Sequence, residues 1–431
     1  MLCLISTFAI LVALNLTTFS ELKPTVGPNE VRVTNNGETN ATLSSVSMDI
    51  SEDIKESDAF YPVDSGQEGA YWPIIPDEHW NFMPRVYPPW NSTTHSWCGD
   101  EADYDFQTRA GLIYAKVHKA ASSTLSGITL RVAENYGRRR RPNHDTGNDA
   151  ANMTASACAV YYKHGVSDIF HKRDRSRSFM FSSIRHPASR AMSWIFYYGS
   201  VQGGEMTEMK VLLRLRSRNY YPMRSHACGA QVGYMHTAQK QQRDLTLWSD
   251  EEPSKVHNLS LSTSRVADVM SQYDLIMIVE RLHESLVVLQ LMLGINTSDI
   301  LYLSAKQSGQ YSYMAHPFPG CHLIAKSFMT PDISAFLSSP TWYAQNYEDY
   351  LLYKAANRSL DMTIDRLGRR RFEKALAKYE NMMEAAKICD NETVTACTSE
   401  GVHVNETDCY RGQRYSDMGC GYPCLDRRFG T

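Results

Sequence analysis

A lysine and three hydroxyl residues lie close together near residue 120 and have the chemistry of an anion-binding turn. Lys119 is followed by Ser122, Ser123 and Thr124, with small residues between them. A lysine supplies a compact positive charge, and hydroxyl groups supply hydrogen-bond donors. We therefore expect this turn to bind a phosphate or a similar oxyanion.

The turn lies between two segments of different periodicity. The apolar run 112–117 is typical of a buried strand, and the apolar residues between 125 and 132 have helical spacing. In a strand–turn–helix unit, free N–H groups and the positive end of the helix dipole face the turn. These two elements would therefore position Lys119 and the hydroxyl groups around an anion.

A second unit of the same kind follows along the chain. Residues 179–184, with the sequence FMFSSI, predict another buried strand. Arg185 follows it, and Pro187 suits the first turn of a helix that would carry Ser193. Polar loops at the carboxyl ends of parallel strands form the ligand crevice of open α/β sheets. We predict such a sheet with flanking helices. Further elements are predicted as strands at 157–162, 274–280 and 299–303, a helix over 283–293 capped by Gly294, and helices between 341 and 387.

Length and composition exclude several other classes. The chain has 431 residues, of which 43% are hydrophobic and 21% charged, as in a globular protein. Its net charge of -3 argues against a dedicated nucleic-acid binder. A P-loop ATP enzyme would carry Gly-x-x-x-x-Gly-Lys-Ser/Thr, but the turn at Lys119 has no glycine and its lysine precedes the hydroxyl residues. An ATP-dependent phosphoryl-transfer enzyme is therefore a disfavoured alternative.

Three features predict a secretory route. Residues 1–20 are apolar and uncharged, which suits either a cleaved signal peptide or a short signal-anchor. Nine cysteines follow this segment, so disulfides are expected in an oxidising lumen, with a zinc site at Cys420 and Cys424 as an alternative. Eight Asn-x-Ser/Thr triplets downstream of this segment indicate a surface that accepts glycans, at Asn40, Asn91, Asn152, Asn258, Asn296, Asn357, Asn391 and Asn405.

We divide the chain into four parts. Residues 1–20 are the signal peptide or signal-anchor, 21–69 a polar stem, 70–388 the catalytic domain and 389–431 a Cys-rich tail. The Trp-, Tyr- and Pro-rich stretch at the start of the catalytic domain is interpreted as an extended packing strap, with a glycan-stacking surface as the alternative. The run of four arginines at 138–141 is interpreted as a solvated loop, with a rim that attracts an anionic ligand as the alternative.

Four segments of the chain resemble the Golgi carbohydrate sulfotransferases, which use 3′-phosphoadenosine-5′-phosphosulfate (PAPS). These segments are most similar to those of the galactose 3-O-sulfotransferases and more distantly similar to those of the heparan sulfate and uronyl 2-O-sulfotransferases. The resemblance spans about residues 110–380 and departs in the Cys-rich tail, the arginine run and much of 199–265. The segments are KVHKAASSTL, SIRHPASRAMSWIFYY, YDLIMIVERLHESLVVLQLMLGINTSDILYL and LLYKAANRSLDMTI.

The resemblance implies a role for each candidate residue. Arg185 and Ser193 would bind the 3′-phosphate of PAPS. His164, in a segment similar to the base-bearing segment of the 2-O-sulfotransferases, is the expected general base, because an imidazole titrates near neutral pH; His118 is the alternative. Lys119 would also stabilise the leaving phosphate oxygen. The residues expected to bind the 5′-phosphosulfate are Lys119, Ala121, Ser122, Ser123 and Thr124.

The resemblance also implies partners. The acceptor would be a glycan, with a galactose-type sugar favoured, on a polysaccharide, glycoprotein or glycolipid. No metal is expected for this chemistry, and the location would be the Golgi lumen, or the exterior after leader cleavage. A non-catalytic glycan-binding protein on the same scaffold is the main alternative. The acceptor hydroxyl, the disulfide connectivity and the oligomeric state are left open by the sequence.

Overall fold

A computed structural model of the chain describes most of the predicted catalytic domain and part of the tail. The described residues are 80–88, 90, 97–98, 111–140, 158, 160–164, 173–201, 205–216, 231, 235, 259–303, 308–314, 319–392, 397–404 and 422–430. The predicted signal segment and polar stem, 1–20 and 21–69, lie outside these residues. None of the helices in the described part has the length and apolar character that crossing a bilayer requires.

The centre of the fold is a four-stranded parallel sheet with the strand order β2-β1-β3-β4. This arrangement confirms the predicted open parallel α/β fold. Every residue of β1 and β3 is buried, as expected for strands that helices cover on both faces. The strands are β1 (Gly111–Lys116), β2 (Val160–His164), β3 (Ser178–Ile184) and β4 (Leu275–Ile278). A separate antiparallel hairpin consists of β5 (Tyr311–Met314) and β6 (Gly320–Leu323).

Helices pack around this sheet. Helix α1 follows the lysine turn and packs against β1 and β2, while α5 and α8 pack against β4. The predicted cap of α5 is confirmed, because Gly294 adopts φ 65° and its N–H donates to the carbonyl of Gln290. The helices are α1 (Ser122–Arg140), α2 (Pro187–Val201), α3 (Glu208–Arg216), α4 (Leu259–Gln272), α5 (Leu282–Leu293), α6 (Pro331–Leu337), α7 (Pro340–Gln345), α8 (Tyr347–Leu367), α9 (Arg369–Ala386) and α10 (Tyr422–Phe429).

Two sequence predictions in this region are wrong. The strand expected at 299–303 is absent, because Thr297–Ile300 forms a 3-10 helix that Asn296 and Asp299 stabilise with a capping box. The arginine run is not a loop at 138–140, since these residues complete α1, although Arg138 and Arg139 are exposed as predicted. Arg139 donates to both carboxylate oxygens of Asp299, at 2.9 and 2.5 Å, and Asp299 is fully buried.

The described part of the stretch at 80–98 packs on the domain, as the strap interpretation predicts. The side chains of Tyr87 and Trp97 are buried. The backbone N–H groups of Arg85 and Tyr87 donate to the hydroxyls of Ser359 and Thr363 on α8, each at 2.9 Å. These contacts fix an extended chain on the helix without making it part of a sheet.

Three disulfides are formed in the described part of the chain. They join Cys98 to Cys158, Cys321 to Cys397, and Cys389 to Cys424. The Cys321–Cys397 bond ties the Cys-rich tail to the domain, and the Cys389–Cys424 bond joins the first residue of the tail to α10. Because Cys424 is bonded to Cys389, it is not available for the alternative zinc site at Cys420 and Cys424. The described residues contain no cluster of side chains suited to a metal ion.

Candidate functional site

The lysine turn connects β1 to α1 in a backbone conformation suited to anions. Lys119 and Ala121 have φ values of 63° and 56°, which non-glycine residues rarely adopt. Left-handed residues in such turns direct successive N–H groups to one side, where they form an anion-binding concavity. Helix α1 begins immediately afterwards, at Ser122, and has no acidic residue in its first turn. This backbone geometry and the lack of acidic charge are compatible with an anion, and the binding itself stays a prediction.

Two buried serines of β3 hold the turn in place. The Ser183 hydroxyl donates to the carbonyl of Ala120 at 2.6 Å and lies 2.9 Å from the Tyr114 hydroxyl. The Ser182 hydroxyl donates to the carbonyl of Ala115 at 2.7 Å. The Ser183 bond joins the turn to β3 and supports its uncommon backbone angles, and the Ser182 bond joins β3 to β1 just before the turn.

Helix α2 contributes aromatic side chains to the same turn. The Nζ atom of Lys119 lies 3.6 Å from the ring centroid of Tyr197, a cation–π contact. The ring of His118 meets Trp194 edge-on, with centroids 5.5 Å apart. Ser193 lies one helical turn before Tyr197, so α2 reaches the lysine turn from the side that carries the predicted 3′-phosphate residue.

Arg185 follows β3 directly, as predicted, and is held at its backbone. Its N–H donates to Oε1 of Gln231 at 2.8 Å, and Nε2 of Gln231 donates to its carbonyl at 2.9 Å. Its Nε lies 3.9 Å from Oε1 of Glu280 and has no hydrogen-bond acceptor among the described residues. Ser193 is half-buried. The first turn of α2, like that of α1, has no acidic residue.

His186 and Glu280 stabilise the loop that carries Arg185. Glu280 accepts the N–H of His186 at 2.9 Å and the hydroxyl of Tyr353 at 3.2 Å. Burial raises the pKa of the Glu280 carboxyl, although Arg185 acts to lower it. Burial, and secondarily the charge of Arg185, lowers the pKa of His186 to about 4. His186 is therefore neutral at physiological pH and supplies no charge to an anion.

The predicted base, His164, is the last residue of β2. It pairs in register with Lys116 of β1, so its backbone lies at the carboxyl edge of the sheet, where the lysine turn also begins. This edge therefore brings together the backbone of His164, the turn at Lys119 and the loop at Arg185. The role of His164 as a base stays a prediction.

Sequence reasoning missed two residues of this site. Gln231 holds the Arg185 backbone, and it lies in a polar stretch with no period that would have marked it. Tyr197 lies on the helix that the sequence predicts after Arg185, but no motif in the sequence gives it a role. Its contact with Lys119 depends on how α2 packs on the turn, which local sequence does not encode.

The described structure places two basic loops at the carboxyl edge of a parallel α/β sheet, after the adjacent strands β1 and β3. Residues 102–308, slightly under half of the chain, match the family model described as Sulfotransferase family. This segment contains the four parallel strands, the lysine turn and the Arg185 loop. The match supports a sulfotransferase, and thus sulfuryl transfer as the reaction class, without selecting a subfamily. A search of the curated proteins found no match.

Proposed function

We propose that the chain is a PAPS-dependent carbohydrate O-sulfotransferase with a galactose-type acceptor, closest to the galactose 3-O-sulfotransferases. The observation that carries this proposal is the pair of basic loops at the carboxyl ends of the adjacent strands β1 and β3. Two loops of this kind suit a ligand with anionic groups at two ends, as in PAPS. The family match supports the reaction class, and the four resembling segments support the donor and the acceptor class.

The residues of the two loops fit such a ligand. The left-handed backbone at Lys119 and Ala121 and the N-terminus of α1 suit the 5′-phosphosulfate, with hydroxyl groups from Ser122, Ser123 and Thr124. At the other end, the buried Nε of Arg185 lacks a hydrogen-bond acceptor among the described residues, and a 3′-phosphate bound there would provide one. Ser193 would add a hydroxyl donor.

Bound PAPS would supply the sulfuryl group and a phosphate leaving group. Lys119 would stabilise the negative charge that develops on the leaving oxygen, since a preorganised cation acts most strongly in a site shielded from water. His164 would accept the proton of the attacking sugar hydroxyl. The remaining catalytic contribution is positioning, as in phosphoryl transfer, where little covalent chemistry is left to the protein.

We further propose a luminal location, in the Golgi or outside the cell. The three disulfides support an oxidising compartment. A short signal-anchor or a cleaved leader at residues 1–20 would bring the catalytic domain there.

Ligand binding tests the donor assignment. The full chain, secreted from a eukaryotic host, should bind adenosine 3′,5′-bisphosphate (PAP) in the calorimeter and should not bind ATP with similar affinity. Transfer of labelled sulfate from PAPS to galactose-terminated glycans would then establish the acceptor class. Preference for ATP, or no PAP binding by folded protein, would remove the basis of the proposal.

The proposed role of Lys119 predicts a specific loss. Lys119→Ala should lower turnover about 10²–10³-fold, as removal of one transition-state donor does elsewhere. Lys378→Ala on α9 is the matched control, because Lys378 is exposed. A folded Lys119→Ala protein with full turnover would contradict the mechanism.

The base assignment predicts a loss of similar size with unchanged donor binding. His164→Ala should lower kcat by about 10²–10⁴-fold and leave PAP affinity intact. His118→Ala is the matched comparison, since His118 is the alternative base. A loss below about tenfold in His164→Ala, combined with a larger loss in His118→Ala, would transfer the role to His118.

A further inference from the structure

We propose that Gln231 is a positioning residue for the 3′-phosphate site, which acts by fixing the backbone of Arg185. This inference rests on the proposed function, because it assigns Arg185 to a phosphate of the donor. It gives a role to a residue that lies outside both basic loops and that no motif marks.

The contact between the two residues is reciprocal. Oε1 of Gln231 accepts the N–H of Arg185 at 2.8 Å, and Nε2 of Gln231 donates to the carbonyl of Arg185 at 2.9 Å. Gln231 is fully buried. An amide side chain is suited to this pairing because it carries a donor and an acceptor in one plane, whereas a carboxylate only accepts and a thioether makes no strong hydrogen bond.

Arg185 needs this support because the sheet ends just before it. The pairing of β3 with β4 reaches only Ile184, opposite Ile278. The next N–H and carbonyl therefore lie beyond the ladder, and buried backbone groups left without partners are costly. Gln231 supplies the two bonds that another residue of a neighbouring strand would have made.

Gln231 is itself held from two directions. Its N–H donates to Oδ2 of Asp349 at 3.2 Å, and Asp349 forms a fully buried ion pair with Arg190 on α2 at 3.6 Å. Four residues later in the sequence, the carbonyl of Met235 accepts the hydroxyl of Tyr273 at 3.1 Å. The backbone of Gln231 is therefore anchored to α8 and, through Asp349, to α2, and its side chain is buried and not an adaptable surface group.

Glu280 restrains the same loop from its other side. It accepts the N–H of His186 at 2.9 Å and lies 3.9 Å from Nε of Arg185. Gln231 bonds the backbone of Arg185, and Glu280 bonds the backbone of His186. Together they fix the backbone conformation at 185–186. This backbone conformation sets the direction in which the Arg185 side chain extends from the backbone.

A pair of nucleotides that differ only in the 3′-phosphate tests this role. The full chain is titrated with PAP directly and with adenosine 5′-monophosphate (AMP) by competition. Because Gln231 acts through Arg185, its loss should weaken binding of PAP and not of AMP. Gln231→Met removes both hydrogen bonds at similar volume, and Gln231→Glu keeps the acceptor for the Arg185 N–H and removes the donor.

We expect Gln231→Met to lower PAP affinity about tenfold or more, the size of one charge-assisted hydrogen bond, and AMP affinity less than about twofold. Arg185→Ala should abolish the preference for PAP, and adding Gln231→Met to it should cause no further loss. Thermal unfolding identifies any variant that does not fold. If Gln231→Met does not fold, Gln231→Glu is the test. We expect Gln231→Glu to lower PAP affinity by less than the loss expected for Gln231→Met and to leave AMP affinity nearly unchanged.

Two results would overturn the inference. One is a folded Gln231 variant that keeps the wild-type preference for PAP while Arg185→Ala loses it. The other is an equal loss of PAP and AMP affinity, which would indicate a general structural role. A wild-type chain without any preference for PAP over AMP would instead overturn the proposed function, and the inference with it.

Discussion

Replacing Tyr197 by leucine should weaken nucleotide binding at the lysine turn, whereas replacing it by phenylalanine should not. The ammonium of Lys119 lies 3.6 Å from the ring centroid of Tyr197, well inside the range of a cation–π interaction. The ring restrains a flexible side chain and keeps its charge beside the turn. Leucine removes the ring face, and phenylalanine keeps it.

The structure sets the expected magnitude. Cation–π contacts range from about 0.5–1 kcal/mol at exposed sites to about 2 kcal/mol when desolvated. Tyr197 is only 9% exposed and Lys119 is partly buried, so we expect the upper part of this range. About 1–2 kcal/mol corresponds to a loss of about 5–30-fold in affinity for PAP. The phenol hydroxyl contacts Ser312 at 3.3 Å, a weak bond whose loss in phenylalanine should cost little.

Calorimetric titration of PAP into the two Tyr197 variants measures this effect. Thermal unfolding is recorded in parallel, because leucine leaves a smaller side chain at a buried position. Lys119→Met provides the control background, in which Tyr197→Leu should have no further effect on PAP affinity. Equal losses in the leucine and phenylalanine variants, or the same loss with and without the Lys119 ammonium, would refute the reasoning.

Two further predictions concern stability. Since burial lowers the pKa of His186 from 6.5 to about 4, the unfolded chain takes up this proton at higher pH than the folded chain does. The free energy of unfolding should therefore fall as pH drops from 6.5 to 4, by on the order of 3 kcal/mol, and denaturant titrations should show a shallower fall in His186→Gln. The raised pKa of Glu280 acts in the opposite direction and is common to both proteins, so identical pH slopes would contradict the assignment. Asp426→Asn weakens two bonds from the buried Arg131, at 2.8 and 2.9 Å, that join α10 to α1. It should cost about 2–4 kcal/mol in the same assay, and a cost below about 0.5 kcal/mol would show that α10 contributes little to stability.

The sequence was sufficient for the elements that local pattern determines. Strands β1 and β3 were predicted because each is a short segment of mostly apolar and small residues, and both are completely buried. The lysine turn and Arg185 were predicted because polar residues follow those strands directly. The strand expected at 299–303 failed because its apolar residues are also compatible with a turn, and the capping box of Asn296 and Asp299 decided the outcome.

What the sequence lacked is information on distant contacts. Gln231 is 46 residues from Arg185 along the chain, and the bond between them exists only after α8 and α2 have packed. The disulfide from Cys321 to Cys397 spans 76 residues, and its pairing follows from the position of the β5–β6 hairpin against the tail. The ion pair of Arg139 with Asp299 is likewise a contact between residues far apart in sequence. The arginine run alone therefore did not predict that these residues would end a helix.

Helix α2 gives the proposed donor site a fixed internal spacing. Ser193 and Tyr197 are four residues apart on this helix, a distance of about 6 Å along its axis. One of these residues would contact the 3′-phosphate, and the other contacts the lysine of the turn. A single residue inserted between them would rotate one by about 100° relative to the other. Ser193 and Tyr197 would then no longer serve the same bound donor. The length of α2 between these residues should therefore tolerate substitutions but no insertion or deletion.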